Sequence, residues 1–376
     1  MASARVSPFA NRIAALRADM RDAGWDGLLI THLPNIRYIT GFAGTAGAAI
    51  LTANRCTLVV DFRYATSGRE VIASHPDGMA DLVLVDRTYD ETLIDLLKQF
   101  GAPQIGIEGA SMTVSRFLRL SAALAPAGSA AGTTVLAPTD RVVERRRAVK
   151  DEFEIETLRV AANRLSHVAR QMPALVREGR SELEVAADID AAIRAAGFER
   201  PAFETIVASG PNSARPHGRP GHRRLLAGDG VVLDFGGVYD GYCVDLTRTL
   251  HLGAPSSELQ RLAGAVREAH AAAVAAVRPG VRPSEIDRAA RDVLTRHGLG
   301  EAFGHGTGHG LGLEVHEDPR ISKLPGALPD DPVRPGMVFT IEPGAYVEGV
   351  GGVRIEDDVL VTEDGCEVLT DVPIES

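Results

Sequence analysis

Apolar residues recur along the chain at two spacings, and segments of the two kinds alternate. Phe9–Ala23 reads as an amphipathic helix, and Tyr64–Ser74, Asp90–Phe100 and Ser115–Ala125 read as further helices. Between them Gly27–Thr31, Ile36–Thr40, Leu82–Asp86, Gln104–Glu108 and Thr134–Leu136 read as strands. Ala48–Thr52 and Cys56–Asp61 read as a hairpin over Ala53, Asn54 and Arg55. Such alternation over residues 1–140 predicts a three-layer α/β unit. Pro126–Thr133, rich in Ala, Gly and Ser, reads as a loop inside it. The basic run Asp140–Lys150 reads as a solvated linker feeding a helix over Asp151–Val176, where Ile155, Leu158, Leu165 and Val168 lie at helical spacing.

A second domain is expected over residues 141–376. It continues with a helix at Ser181–Ala196, a strand at Phe203–Ser209 and a loop at Gly210–His222. Helices near Ser256–Val277 and Ser284–His297 follow. Between these pairs of helices, VVLDFGGVYDGYCVDLTRT (Val231–Thr249) places two β-branched runs around Asp240-Gly241, a strong signal for a two-residue hairpin turn. With that turn Gly236 faces Asp245 and Asp234 faces Thr247. Asp234 and Asp245 then become diagonal neighbours on one face, ~7–8 Å apart at the backbone.

Two further stretches carry chemistry. Phe303–Pro319, FGHGTGHGLGLEVHEDP, holds His305, His309 and His316 among glycines that let a metal or substrate approach the backbone. In Gly336–Thr362 the alternation puts Thr340 and Glu342 on one strand face. After a glycine-rich turn at Gly349–Gly352, it puts Arg354, Glu356 and Asp358 together on a second strand. Asp234, Asp245, His309, Glu342 and Glu356 thus form a set of four carboxylates and one imidazole. Four negative charges balance two divalent cations. Oxygen-dominated ligation with one nitrogen suits Mn²⁺ above all, with Co²⁺, Fe²⁺ or Zn²⁺ as alternatives.

Composition narrows the rest. The length of 376 residues favours two domains, and the net charge of −10 argues against nucleic acid and anionic membranes as partners. The first residues contain no apolar run of signal-peptide or membrane-span kind. Cys56, Cys243 and Cys366 are odd in number and widely spaced, which fits reduced thiols in a cytoplasmic protein. Asp234-Phe235-Gly236 spells DFG without the rest of a kinase. His316-Glu317 opens like HExxH, but Arg320 stands where the second histidine belongs.

The strings LDFGG, DLTRT, GHGTGHGLGLEVHE, IEPG and VRIEDD resemble those of the pita-bread metallopeptidases, which include methionyl aminopeptidase, aminopeptidase P and prolidase. The resemblance spans the whole C-terminal domain. NIRYITGFAGTAG (Asn35–Gly47) resembles the N-terminal domain of aminopeptidase P and the prolidases, which methionyl aminopeptidases generally lack. The resemblance implies an α/β (α+β) fold: a creatinase-like three-layer domain, then a pita-bread domain with two metals between duplicated halves. It also implies a homodimer, with the N-terminal domain mediating oligomer contacts and helping to close the site. Two metals in such a cage lower the pKa of a bridging water toward neutrality. Glu342 is then the candidate general base. The resemblance implies that His316 contacts the scissile amide or its oxyanion and that His217 steadies the substrate or the tetrahedral intermediate, while His305 matches a further pocket histidine. Arg354 and Thr247 are expected to orient the ligands Glu356 and Asp234. The leading reading is an Xaa-Pro aminopeptidase acting on small peptides with proline second, and the alternative is an Xaa-Pro dipeptidase. A metal-free binding module or a creatinase-like enzyme would have lost these ligands.

Overall fold

The computed structural model describes residues 8–75, 80–125, 134–323 and 330–374. It divides into two compact units, Met1–Arg147 and Ala148–Ser376.

The first unit runs α1 (Phe9–Ala23), β1 (Gly27–Ile30), α2 (Leu33–Thr40), β2 (Ala48–Thr52), β3 (Cys56–Val60) and α3 (Ala65–Ala73). It continues β4 (Asp81–Leu84), α4 (Tyr89–Phe100), β5 (Gln104–Glu108), α5 (Val114–Leu124), β6 (Val135–Thr139) and α6 (Val142–Arg147). Six strands form a mixed sheet in the order β4-β3-β2-β1-β5-β6. Leu29, Ile50, Val59, Ile105 and Ile107 face α4 and α5, burying Leu93, Leu97, Leu120 and Leu124. Leu28, Leu51 and Leu58 point the other way and are equally buried, and α1 and α2 pack against β2. This is the expected three-layer α/β unit.

One expectation is corrected here. Ile36–Thr40 is the end of a helix, not a strand. Pro34 sits in the first helical turn, Thr40 Oγ1 donates to the Ile36 carbonyl at 2.6 Å, and Gly41 ends the helix at φ 75°. Ile36, Ile39 and Thr40 are fully buried at helical spacing, and so short a run also fits a two-residue period. The first unit extends to Arg147, inside the stretch Asp140–Lys150 where the linker is expected. Arg147 Nη1 donates to Asn35 Oδ1 at 2.7 Å, and Asn35 Nδ2 donates to Glu108 and Glu144, each at 2.7 Å. The loop expected at Pro126–Thr133 lies outside the described residues.

The second unit runs α7 (Glu152–Ala169), α8 (Met172–Leu175), α9 (Glu182–Ala195), β7 (Arg200–Pro201), β8 (Ile206–Ser209), β9 (Gly230–Tyr239) and β10 (Tyr242–His251). Then come α10 (Ser257–Ala276), α11 (Pro283–Arg296), β11 (Gly308–Gly310), β12 (Glu317–Ile321), β13 (Val338–Ile341) and β14 (Gly344–Val347). β15 (Gly351–Arg354), β16 (Asp357–Val361) and β17 (Cys366–Val368) close the chain. α7 and α9 begin with capping boxes, Asp151/Glu154 and Ser181/Glu184. The single helix expected over Asp151–Val176 is instead interrupted after Ala169. The strand expected from Phe203 starts at Ile206, and the following loop opens with a 3₁₀ turn over Gly210–Ala214.

Among the described residues this unit has two apolar cores. α7 and α9 pack on β8, β9 and β10 through Leu158, Leu165, Ile189, Val207, Leu233 and Phe235. α10 and α11 pack on β13, β15 and β16 through Leu262, Val266, Ile286, Phe339, Val353 and Val359. Each half therefore pairs long helices with strands that carry, or end beside, two of the four acidic residues. In the second half the expected pair of long strands is broken in two places. β13 pairs with β16, whereas β14 and β15 form their own ribbon. Pro343 has no N–H to offer a ladder, and the Glu356 N–H donates to the Thr247 carbonyl at 3.1 Å rather than to its own sheet. Glu342 and Glu356 consequently sit just beyond strand ends. Among the described residues, no helix is long and apolar enough to cross a membrane.

Candidate metal centre

Asp240 and Gly241 adopt φ of 46° and 76°, the left-handed pair that a type I′ turn needs. That turn sets the register of β9 on β10: Asp245 opposes Gly236 and Thr247 opposes Asp234, as expected. β11 is threaded between β12 and β13, so closely that a Cβ on Gly308 would lie 1.9 Å from the Thr340 carbonyl oxygen. The His309 N–H donates to Thr340 Oγ1 at 3.1 Å, which ties the imidazole to the strand that delivers Glu342.

These elements surround one cavity of about 540 Å³. Asp234, Asp245, His309, Glu342, Glu356, His217, His305, His316 and Arg354 all line it. Ligand atoms of Asp245, His309 and Glu356 lie within 4.8 Å of one another. Glu342 Oε1 lies 3.5 Å and Asp245 Oδ2 4.0 Å from His309 Nε2. Asp234 is placed differently, since its Oδ2 is paired with Arg354 Nη2 at 2.5 Å.

Several observations fit a divalent metal. His309 Nδ1 lies 3.2 Å from the Gly310 carbonyl, which can only accept, so the proton sits on Nδ1 and Nε2 presents its lone pair to the carboxylates. Burial, then the neighbouring His316, lower the His309 pKa to about 3, which keeps the ring neutral. Asp234 Oδ1 and Asp245 Oδ1 are buried and find no hydrogen-bond partner among the described residues. Burial, then Glu356 and Asp234, raise Asp245 well above the usual carboxylate range. Burial, then Glu342 and Asp234, do the same to Glu356, and burial raises Glu342 to about 7. Orphaned, mutually repelling carboxylates around a neutral imidazole are stabilised by a cation.

The expected orienting partners exchange roles. Thr247 Oγ1 donates to Glu356 Oε2 at 2.5 Å, not to Asp234, which lies across the hairpin. Arg354 grips Asp234 rather than Glu356, and its Nε donates to Thr247 Oγ1 at 3.2 Å. One guanidinium thus restrains one carboxylate directly and a second through a hydroxyl.

The three remaining histidines differ. His316 is exposed and meets the His309 ring edge-on, with centroids 4.2 Å apart, while His217 is exposed on the loop after β8. That loop is anchored by the buried Glu182, which accepts from the Ser209 N–H at 2.8 Å, Ser209 Oγ at 2.7 Å and the Gly221 N–H at 3.0 Å. His305 has both ring nitrogens engaged, Nδ1 with the Gly306 carbonyl at 2.8 Å and Nε2 with the Tyr346 hydroxyl at 3.0 Å. Burial lowers its pKa to about 4. Nδ1 therefore carries the proton, Tyr346 donates to Nε2, and Arg354 Nη1 donates to the Tyr346 oxygen at 2.7 Å. His305 is a wall of the cavity rather than a proton carrier. Sequence reasoning missed Tyr346, although the alternation from Thr340 and Glu342 continues through Gly344 to it.

A pH dependence follows from these shifts. Glu342 has its folded pKa raised from 4.5 to about 7, so its contribution to the stability of metal-free protein is full below pH 4.5 and lost as pH rises through 7. Metal displaces those protons and reverses the penalty. The rise in Tm on adding Mn²⁺ to chelator-treated protein should be larger at about pH 7.5 than at about pH 5. Equal increments, read by calorimetry, would mean that the buried carboxylates do not receive the ion.

Comparison with known proteins agrees with this geometry. Residues 156–363 match the model of metallopeptidase family M24, and residues 12–149 match the Creatinase/Prolidase N-terminal domain. The structure of an Xaa-Pro dipeptidase from Bacillus anthracis superposes with a TM-score of 0.90 at 35% identity, covering 98% of this chain and 99% of that one. An Xaa-Pro dipeptidase from Pyrococcus horikoshii is 35% identical over 92% of each chain. An X-Pro aminopeptidase from Thermotoga maritima superposes with a TM-score of 0.84 at 34% identity, covering 95% of this chain and 99% of that one. With its pita-bread domain, its Asp/His/Glu cluster and the creatinase-type domain before it, the chain belongs to metallopeptidase family M24.

Proposed function

We propose that the protein is a two-metal Xaa-Pro peptidase whose preferred substrates are dipeptides, with Asp234, Asp245, His309, Glu342 and Glu356 holding two Mn²⁺ ions. When bound, such ions polarise a carbonyl and acidify water. The chain's own residues do the rest. Glu342, on the cavity wall beside His309 Nε2, takes up the proton released in the attack. His316, exposed beside His309, hydrogen-bonds the scissile amide. His217 bounds the substrate from its own loop, and His305, held by Tyr346, fixes the wall of the cavity.

The observation that favours dipeptides is Arg320. It lines the same cavity, is exposed, and stands opposite His309 in the β11–β12 pairing. An Xaa-Pro dipeptide ends in a carboxylate directly after proline, and a guanidinium beside the metal ligands suits that group. A longer peptide carries a neutral amide there. This reading reverses the preference for an aminopeptidase suggested by the Asn35–Gly47 motif, and the two named dipeptidases support it. The X-Pro aminopeptidase among the similar structures makes that activity the second reading.

Mn²⁺-reloaded protein should cleave Ala-Pro with a higher kcat/KM than Ala-Pro-Ala. The opposite order would make it an aminopeptidase P, and failure to cut either would remove the proline assignment. Arg320→Ala should raise KM for Ala-Pro about tenfold or more, as loss of a charge-assisted hydrogen bond does. Its effect on the tripeptide should be smaller. Equal loss on both substrates would show that Arg320 does not read the terminal carboxylate.

A further inference from the structure

Behind the histidine segment, away from the cavity, α11 turns two charged side chains inward. Asp287 is fully buried, and Arg291, one turn on, meets it with two parallel contacts: Nε to Oδ2 at 3.0 Å and Nη2 to Oδ1 at 2.9 Å. An acid and a base four residues apart on a helix usually form a solvated surface pair. This pair instead spends its remaining hydrogen bonds on one segment of chain. Arg291 Nη1 donates to the Phe303 carbonyl and Nη2 to the His305 carbonyl, each at 2.8 Å, while its guanidinium lies 4.2 Å from the Phe303 ring centre. Asp287 Oδ1 accepts from the Thr307 N–H at 3.1 Å and from Thr307 Oγ1 at 2.9 Å.

The segment so held leads directly into the site. Thr307 is fully buried, and its carbonyl accepts the Glu342 N–H at 2.7 Å. His305 reaches Tyr346 from the same segment, and His309 follows two residues after Thr307. We propose that Asp287 and Arg291 are positioning residues: a buried clamp that sets residues 303–307, and through them His305 and the backbone of Glu342, against the carboxylate cage. The role in catalysis rests on the peptidase reading; the mechanical role does not. Geometry explains the residue choice. Only a planar guanidinium can hold one carboxylate by two bonds and still donate to two carbonyls, so lysine keeps the charge and loses the grip.

The test uses the full-length protein loaded with Mn²⁺ and three variants, Arg291→Lys, Thr307→Val and Thr307→Ser. In Arg291→Lys, amide hydrogen exchange should rise across residues 303–309 and at Glu342 while α11 stays protected. Mn²⁺ should bind several-fold more weakly, and kcat on Ala-Pro per folded, metal-loaded molecule should fall on the order of tenfold, as expected for a displaced catalytic group. Thr307→Val should move the same readouts less, and Thr307→Ser, which keeps the hydroxyl, should restore them. Loss of protection in α11 itself would show that the pair merely holds the helix and would overturn the proposal. Unchanged exchange at 303–309, or raised exchange with unchanged Mn²⁺ affinity and kcat, would also overturn it. If unmodified protein cuts no Xaa-Pro peptide, the peptidase reading fails, and exchange and Mn²⁺ affinity still decide the clamp.

Discussion

Mutual repulsion among buried and half-buried carboxylates is the constraint on which this structure turns. Asp234, Asp245, Glu342 and Glu356 come from two halves of one domain and meet around a neutral imidazole, with Arg354 the only buried counter-charge in the cavity wall among the described residues. Gathering such charges out of water costs far more than a hydrogen bond returns. The surrounding chain is shaped to hold the groups in place regardless. Thr247 and Arg354 restrain Glu356 and Asp234, the buried carboxylate of Asp358 accepts the Asp245 N–H at 3.1 Å, and Thr340 accepts the His309 N–H. A divalent cation held there would offset that repulsion.

A second layer holds the first. Arg248 Nη1 donates to the Glu356 carbonyl at 2.6 Å, and its Nη2 reaches Asp357 at 2.7 Å; Asp357 also lies 3.0 Å from His270 Nε2. Alternation along the chain therefore sends Glu356 and Asp358 towards the site and Asp357 towards α10. Lys150 Nζ, fully buried, donates to Glu317 at 3.0 Å and so anchors the residue beside His316. Rigid elements carry the groups, and hydrogen bonds behind them set the angles.

Much of this was legible in the sequence, and the legible part has a common cause. Asp240-Gly241 can only turn with both residues at positive φ, which sets the register of twenty residues and with it the placing of Asp234 and Asp245. Two-residue alternation singled out Glu342, Arg354 and Glu356, and all three line the cavity, although the strands break beside Glu342 and Glu356. What the sequence hid were partnerships across long separations. Thr247 looked opposite Asp234 because it is, yet its hydroxyl goes to Glu356, 109 residues away. Arg320 entered the sequence reading only as the residue that spoils a zinc motif, and Asp287 with Arg291 looks like any surface pair until burial is known. Ile36–Thr40 misled because five residues fit both periods.

The most direct measurement is a crystal structure of Mn²⁺-soaked protein with anomalous diffraction recorded at the manganese edge. A two-metal site predicts two anomalous peaks per chain in the cavity, both within bonding distance of carboxylate oxygens from Asp234, Asp245, Glu342 and Glu356, and one of them at His309 Nε2. A cavity without anomalous density at saturating Mn²⁺, or manganese bound only elsewhere, would contradict it.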